Sequence, residues 1–366
     1  MRKIFLSLLF LPLTLFAQGG QLNGSGYYRV QNVASGRYFS IVDNKSTYVG
    51  ANKDDLNAFL MLEDFEANVA HNPATICYFE QTSGGYNLLG QDLNLYNLAG
   101  TYLQTRAMSG GSYRLYGTSS TVVIYLVDYT AGGWTHPATG GGKLNWYLLP
   151  VNQTDTQYFG IKPDVQATFD GAYWNTTYAG FSFKPSNSKD KVYRVDRIVG
   201  SYAIIKEITG LVPQNTPVLV KTTTSAPSQN KMTLQYSTAA ASSVGSNLLR
   251  GNFYCNDEEG QPQHRNLTAY NPQTMRVLGV SSSGKPAFVK SDIQYLPANK
   301  CYLQVAANAP DVIRIVTEEE YAVAGINDVT LSTVDANAPV FDLQGRRVAN
   351  PQKGVFIQGG KKIVVR

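Results

Sequence analysis

The chain has 366 residues, a formal net charge of +5 and three cysteines. A charge that small, scattered along the sequence, argues against a nucleic-acid partner. Cys77, Cys255 and Cys301 are too few and too far apart for a disulfide framework or a zinc site. Tyrosine is abundant, with 24 copies, glycine is frequent, and strong helical patterns are rare. That combination predicts an all-β protein.

The first residues read as a secretory signal over 1–17. Arg2 and Lys3 form a basic start, Ile4 to Phe16 an apolar run, and Leu15-Phe16-Ala17 a cleavage site. The apolar run is too short for a stable anchor, and no later run approaches membrane length. The expectation is export, with no membrane span once the signal is removed. About 350 residues remain, enough for two or three domains.

Residues 26–152 carry a repeated shape. Tyr27 to Asn32 turns at Ala34-Ser35-Gly36 into Arg37 to Val42. Thr75 to Glu80 turns at Thr82 to Gly85 into Tyr86 to Leu89. Ser112 to Tyr116 turns at Gly117 to Ser120 into Val122 to Val127. Each is an aromatic and β-branched run, a small-residue turn and a second such run, which predicts a hairpin. Between the first two, Ala58 to Val69 predicts one short helix with Ala58, Phe59, Leu62 and Phe65 on a single face. Tyr102-Leu103-Gln104 predicts a strand. Leu144 to Val151 predicts the closing strand, with Trp146 in the core.

Gly26 to Tyr38 resembles the opening of ricin-type β-trefoil modules: aromatic-x-Val-x-Asn, a Ser-Gly turn, then a second aromatic strand. Asn145-Trp146 stands where that family's last repeat carries its Gln-x-Trp. The resemblance implies a β-trefoil-like N-terminal domain and carbohydrate binding.

Residues 153–317 change in texture. Val192 to Val199 and Tyr202 to Ile208 flank Gly200-Ser201, a predicted hairpin. Val212 to Val220 reads as a turn into an edge strand, because proline cannot donate in a central ladder. Leu296 to Gln304 repeats it: Pro213 matches Pro297, Asn215 matches Asn299, and Leu219 matches Leu303. Two such turns predict a β-sandwich with proline-blunted edges. The segment resembles a β-domain recurring in large secreted proteins of Bacteroidetes-type bacteria. One Cys255–Cys301 bridge and two buried free thiols are alternative readings.

Residues 318–328 read as a charged linker. In 329–366, Pro339 to Val348, Lys353 to Ile357 and Lys361 to Arg366 read as three short strands joined by glycine turns. Asp342-Leu343-Gln344-Gly345-Arg346, Lys353-Gly354-Val355-Phe356-Ile357 and the terminal Lys362-Ile363-Val364-Val365-Arg366 resemble the C-terminal sorting domain of type IX secretion. The resemblance implies the type IX machinery as a partner and the bacterial outer cell surface as the destination.

Few constellations suggest chemistry. His71, His136 and His264 lack triad or metal spacing and read as satisfied or solvated side chains. Runs such as Asp257-Glu258-Glu259 read as solvated loops. Gly140 to Lys143 lacks the rest of a phosphate loop, and no Gly-x-Ser-x-Gly elbow occurs. No catalytic residue, cofactor or metal is expected. Aromatic rings suit the C–H face of a pyranose, and Tyr86, Tyr96, Tyr147 and Tyr178 enter that set. The chosen ligand-binding residues are Tyr102, Trp134, Tyr173 and Trp174, with glycine and polar residues around the Trp134 loop and the 173–175 loop. The expected function is a secreted or surface non-catalytic protein that binds glycan. The alternatives are a structural or adhesive protein contacting host or matrix protein and, third, a hydrolase.

Overall fold

Alternating apolar and polar residues give a strand one buried and one wet face. That pattern fills the computed structural model with sheet: 47% strand against 8% helix, so the protein is mostly β. The structure describes residues 22, 24–44, 59–95, 103–118, 123–128, 135–138, 143–152, 156–257, 265–323, 338–359 and 361–365. It divides into two compact units, Met1–Val69 with Thr75–Val151, and Ala70–Ala74 with Asn152–Arg366.

The first unit holds β1 (Gly26–Asn32), β2 (Tyr38–Ile41), β3 (Phe59–Leu62), β4 (Cys77–Thr82), β5 (Gly85–Gly90) and β6 (Leu93–Leu95). It continues with β7 (Gln104–Ala107), β8 (Tyr113–Thr118), β9 (Val123–Asp128), β10 (Thr135–Ala138) and β11 (Asn145–Pro150). Six of these strands pair in a ring. β1 pairs β4, β4 pairs β5, Tyr86 of β5 bridges Leu103 beside β7, β7 pairs β8, β8 pairs β11, and β11 returns to β1. The result is a near-closed barrel. Val30, Phe79, Leu88, Leu103, Leu115 and Trp146 are buried in this unit. Excursions leave the ring after β1, β5 and β8: β2 with β3, then β6, then β9 with β10.

The three expected hairpins differ in outcome. β4 and β5 form the second, paired at Tyr78–Thr82 with Gly85–Leu89. The third pairs at Tyr116–Thr118 with Val123–Tyr125. The first meets only at Gln31 and Tyr38, because β1 spends its ladders on β11 and β4. The expected helix over 58–69 is corrected. Phe59–Leu62 is a strand paired with Tyr38–Ile41, and only Phe65–Val69 is helical. Asp64, at φ 59°, separates the two.

The second unit holds β12 (Phe159–Gly160), β13 (Val165–Gln166), β14 (Tyr173–Thr177), β15 (Phe183–Pro185), β16 (Lys191–Val199), β17 (Tyr202–Glu207) and β18 (Val218–Thr222). After these come β19 (Lys231–Leu234), β20 (Leu249–Asn252), β21 (Met275–Val280), β22 (Pro286–Val289), β23 (Lys300–Gln304) and β24 (Val312–Thr317). Where the sequence suggests two packed sheets, ten strands form one curled sheet in the order β13-β14-β18-β16-β17-β24-β22-β21-β23-β20. It is a half-barrel. The order is a palindrome about β24. On each side a hairpin lies next to β24, and a strand launched by a Pro-x-Asn turn lies beyond it. Residues from both sides, among them Trp174, Val195, Leu219, Phe288, Leu303 and Ile313, form one buried cluster. A separate sheet runs β12-β19-β15.

The three cysteines are free thiols, with Cys77 and Cys301 buried. Cys301 Sγ donates to Thr177 O at 3.1 Å. Residues 318–323, expected as linker, form a short helix α1. Thr317 and Glu320 cap it reciprocally: Thr317 N donates to Glu320 Oε2 at 2.8 Å, and Glu320 N to Thr317 Oγ1 at 3.3 Å. Tyr321 then packs edge-on to Tyr202.

The described residues of the tail hold four strands, β25 (Val340–Phe341), β26 (Arg347–Val348), β27 (Gly354–Gln358) and β28 (Lys361–Val365), where three were expected. Its Asp-Leu-Gln-Gly-Arg stretch has a local reason. Asp342 Oδ1 accepts from Gln344 N and Arg346 N at 2.9 Å each, and Gly345 takes φ 80°. A carboxylate thus ties a turn that only a left-handed residue closes.

Candidate functional site

Strand alternation decides which side chains of β14 face what. Trp174 enters the buried cluster of the curled sheet. Asn175 and Thr177 line a cavity of about 230 Å³ in the second unit, together with His71, Lys162, Asn299 and Lys300. Pro73, Phe159 and Ile161 also border it, but they are buried, Phe159 at 1% and Ile161 at 2% exposure, and offer it little open apolar face.

Each corner is held by backbone bonding. Asn72 Oδ1 accepts from Ala74 N at 3.0 Å and ties the turn through Pro73. Gly160 N donates to Ala70 O at 3.0 Å, which pins the His71 segment. A Cβ at Gly160 would lie 2.1 Å from Pro227 O, so only glycine lets these backbones meet. Asn230 fixes the neighbouring residue: its O accepts from Ile161 N, and its Nδ2 donates to Ile161 O. Asn299, at φ 57°, turns the chain so that Lys300 opens β23.

The polar groups are wired to one another. Asn175 Nδ2 donates to Lys162 O at 2.7 Å, and Thr177 Oγ1 donates to Asn175 Oδ1 at 2.5 Å. Asp164 takes Thr176 N at 3.0 Å and Lys300 Nζ at 2.6 Å. Burial, with the charges of Lys162 and Lys300, lowers the His71 pKa from 6.5 to about 4, against an opposing pull from Asp164. The imidazole is therefore neutral at pH 7. Its Nδ1 is buried without a hydrogen-bond partner. A neutral imidazole, two ammonium groups, a threonine hydroxyl and asparagine amides border one small volume. Such a set holds and orients a polar ligand.

Of the residues chosen from sequence, Tyr173 and Trp174 do not border the cavity. Tyr102 and Trp134 lie outside the described residues. The 173–175 stretch, expected as an exposed loop, is part of β14. Trp174 is 5% exposed, and an indole so covered has no free face for a sugar. Instead it packs on Tyr193, with Lys221 Nζ 5.4 Å from its ring centre. Tyr173 is half-buried at the start of the strand. Among the other tyrosines considered, Tyr178 stacks on Phe253 at 4.0 Å and Tyr86 packs edge-on to Phe79. Sequence reasoning missed His71, Lys162, Asn175, Thr177 and Lys300. The only sequence signal near them is the repeated Pro-x-Asn turn that places Asn299.

Among the described residues, no group of three or more histidine, cysteine or carboxylate side chains is arranged to hold a metal ion. No described helix is long and apolar enough to cross a membrane. The chain matches no protein-family model, no curated protein and no solved structure.

Proposed function

We infer that the chain is a secreted, non-catalytic carbohydrate-binding protein of a bacterial cell surface. The observation that carries this reading is the cavity of the second unit. Its hydroxyl, amide and ammonium groups suit the hydroxyls of a sugar ring. The first unit supports the reading independently. Six ring strands with an excursion after β1, β5 and β8 suit a β-trefoil-like, ricin-type module. In that module Tyr102 and Trp134 remain the proposed sugar-stacking residues. The tail, with its Asp342 to Arg346 turn, is proposed as a type IX sorting address.

A glycan array probed with the full chain tests the reading. Reproducible binding to a related set of glycans is expected. A blank array, with binding to host or matrix protein instead, would replace it with the adhesive reading.

A further inference from the structure

The carbohydrate reading can be narrowed to a chemical class, and the narrowing rests on that reading. Lys162 and Lys300 both border the cavity, and both disfavour a charged His71. Lys300 is balanced by Asp164 at 2.6 Å. No ion pair neutralises Lys162 among the described residues, and its side chain is exposed. The cavity therefore carries an excess of positive charge beside a neutral imidazole.

Size limits the occupant. A volume of about 230 Å³ falls below the roughly 300–1,000 Å³ of pockets for drug-sized ligands. A single sugar ring suits that space. The partners limit it further. Thr177 gives its proton to Asn175, so towards a ligand its oxygen accepts. His71 borders the cavity, and its Nδ1 is buried with no partner. A hydroxyl can donate to it or accept from it, so either tautomer is served after a small turn of the ring.

We propose that this cavity binds a hexuronate residue, with its carboxylate on Lys162 and its hydroxyls on Thr177 and His71. Acetate shares the charge but has neither the ring nor the hydroxyls. Galactose and glucose share the ring but lack the charge.

Titration calorimetry of the full chain with galacturonate, glucuronate, galactose, glucose and acetate separates these chemistries. The hexuronates should bind about tenfold or more tighter than the matching neutral sugars, and salt should weaken them selectively. Lys162→Ala should remove that preference, and Lys162→Arg should retain most of it. Both variants should melt with the wild type, because the side chain is exposed. Neutral sugars that bind as tightly as the hexuronates would overturn the acidic assignment and leave the carbohydrate reading standing. So would hexuronates that fail to bind while neutral glycans score on the array. Acetate as tight as the hexuronates would overturn the sugar assignment in favour of a bare anion site. A preference that survives Lys162→Ala would overturn the role of Lys162. No sugar bound in solution, with a blank array, would end both readings.

Discussion

Asn215 and Asn299 share one backbone state, at φ 58° and 57°, and each launches a strand of the curled sheet, β18 and β23. Their turns clasp adjacent peptides of one segment. Asn215 N donates to Ala179 O at 2.9 Å, and Tyr178 N donates to Asn299 O at 3.0 Å. The two sides of the palindromic sheet are thus tied together just after β14, the strand that carries Asn175 and Thr177 into the cavity. Asn299 Nδ2 adds a bond to Tyr178 O at 3.0 Å.

That relationship predicts an order of stabilities. Asn299→Gly keeps the left-handed backbone and should cost about 1 kcal/mol for the lost side-chain bond. Asn299→Ala also meets the strain of that backbone, about 1–2 kcal/mol more. Asn215→Gly should cost less than Asn299→Gly, because Asn215 Oδ1 is buried without a partner. Urea unfolding checks the series. If Asn299→Ala proves as stable as Asn299→Gly, the turn does not depend on its left-handed residue.

The two buried tryptophans should respond differently to loss of the indole N–H. Trp146 is 0% exposed, and its Nε1 donates to Leu126 O at 3.0 Å. Trp174 Nε1 is buried with no partner. Trp146→Ala should cost about 3–5 kcal/mol. Trp146→Phe should cost about 1 kcal/mol more than Trp174→Phe, since only the first strands a backbone carbonyl. Thermal unfolding of the pair measures this, and equal losses would show that the bond to Leu126 contributes nothing.

His71 predicts a pH dependence with a definite sign. Its pKa falls from 6.5 to about 4 on folding, by burial first and by Lys162 and Lys300 next. The unfolded chain therefore binds more protons between these two values, and stability rises with pH across that window. Read downwards, stability is full above about pH 6.5 and is lost progressively towards pH 4. His71→Gln should remove this part of the slope. Urea midpoints of both proteins from pH 7 to pH 4 test it, and parallel curves would deny His71 a neutral, buried state.

Much of the strand content is legible in residues 26–152, where aromatic and β-branched runs alternate around small-residue turns. The pairing is less so. Phe59, Leu62 and Phe65 fit a helical face as well as a strand, and what decides is Tyr38–Ile41, a partner distant in the chain. Pro213 and Pro297 mark the repeated turn from sequence alone. The cavity is not legible, because His71, Lys162, Thr177 and Lys300 approach only through the topology of the second unit. Trp174 misleads for a simpler reason. Polar neighbours suggest a loop, while in a strand they alternate with a buried ring.

The tail makes a separable prediction. Among the described residues its four strands pair only with one another, in the order β26-β25-β27-β28. Removing residues 325–366 should leave the melting temperature of the remaining chain close to that of the full protein and should abolish surface delivery. Cell fractionation and a melting curve of the truncated chain check both. Continued surface delivery would remove the sorting role, and a large loss of stability would make the tail structural.

The most direct test of the central claim is a crystal structure of the full chain at saturating galacturonate. The account predicts one sugar ring in the cavity, against the polar groups of Thr177, Lys162 and Lys300. A ring bound elsewhere on the protein, with this cavity holding only water, would contradict it.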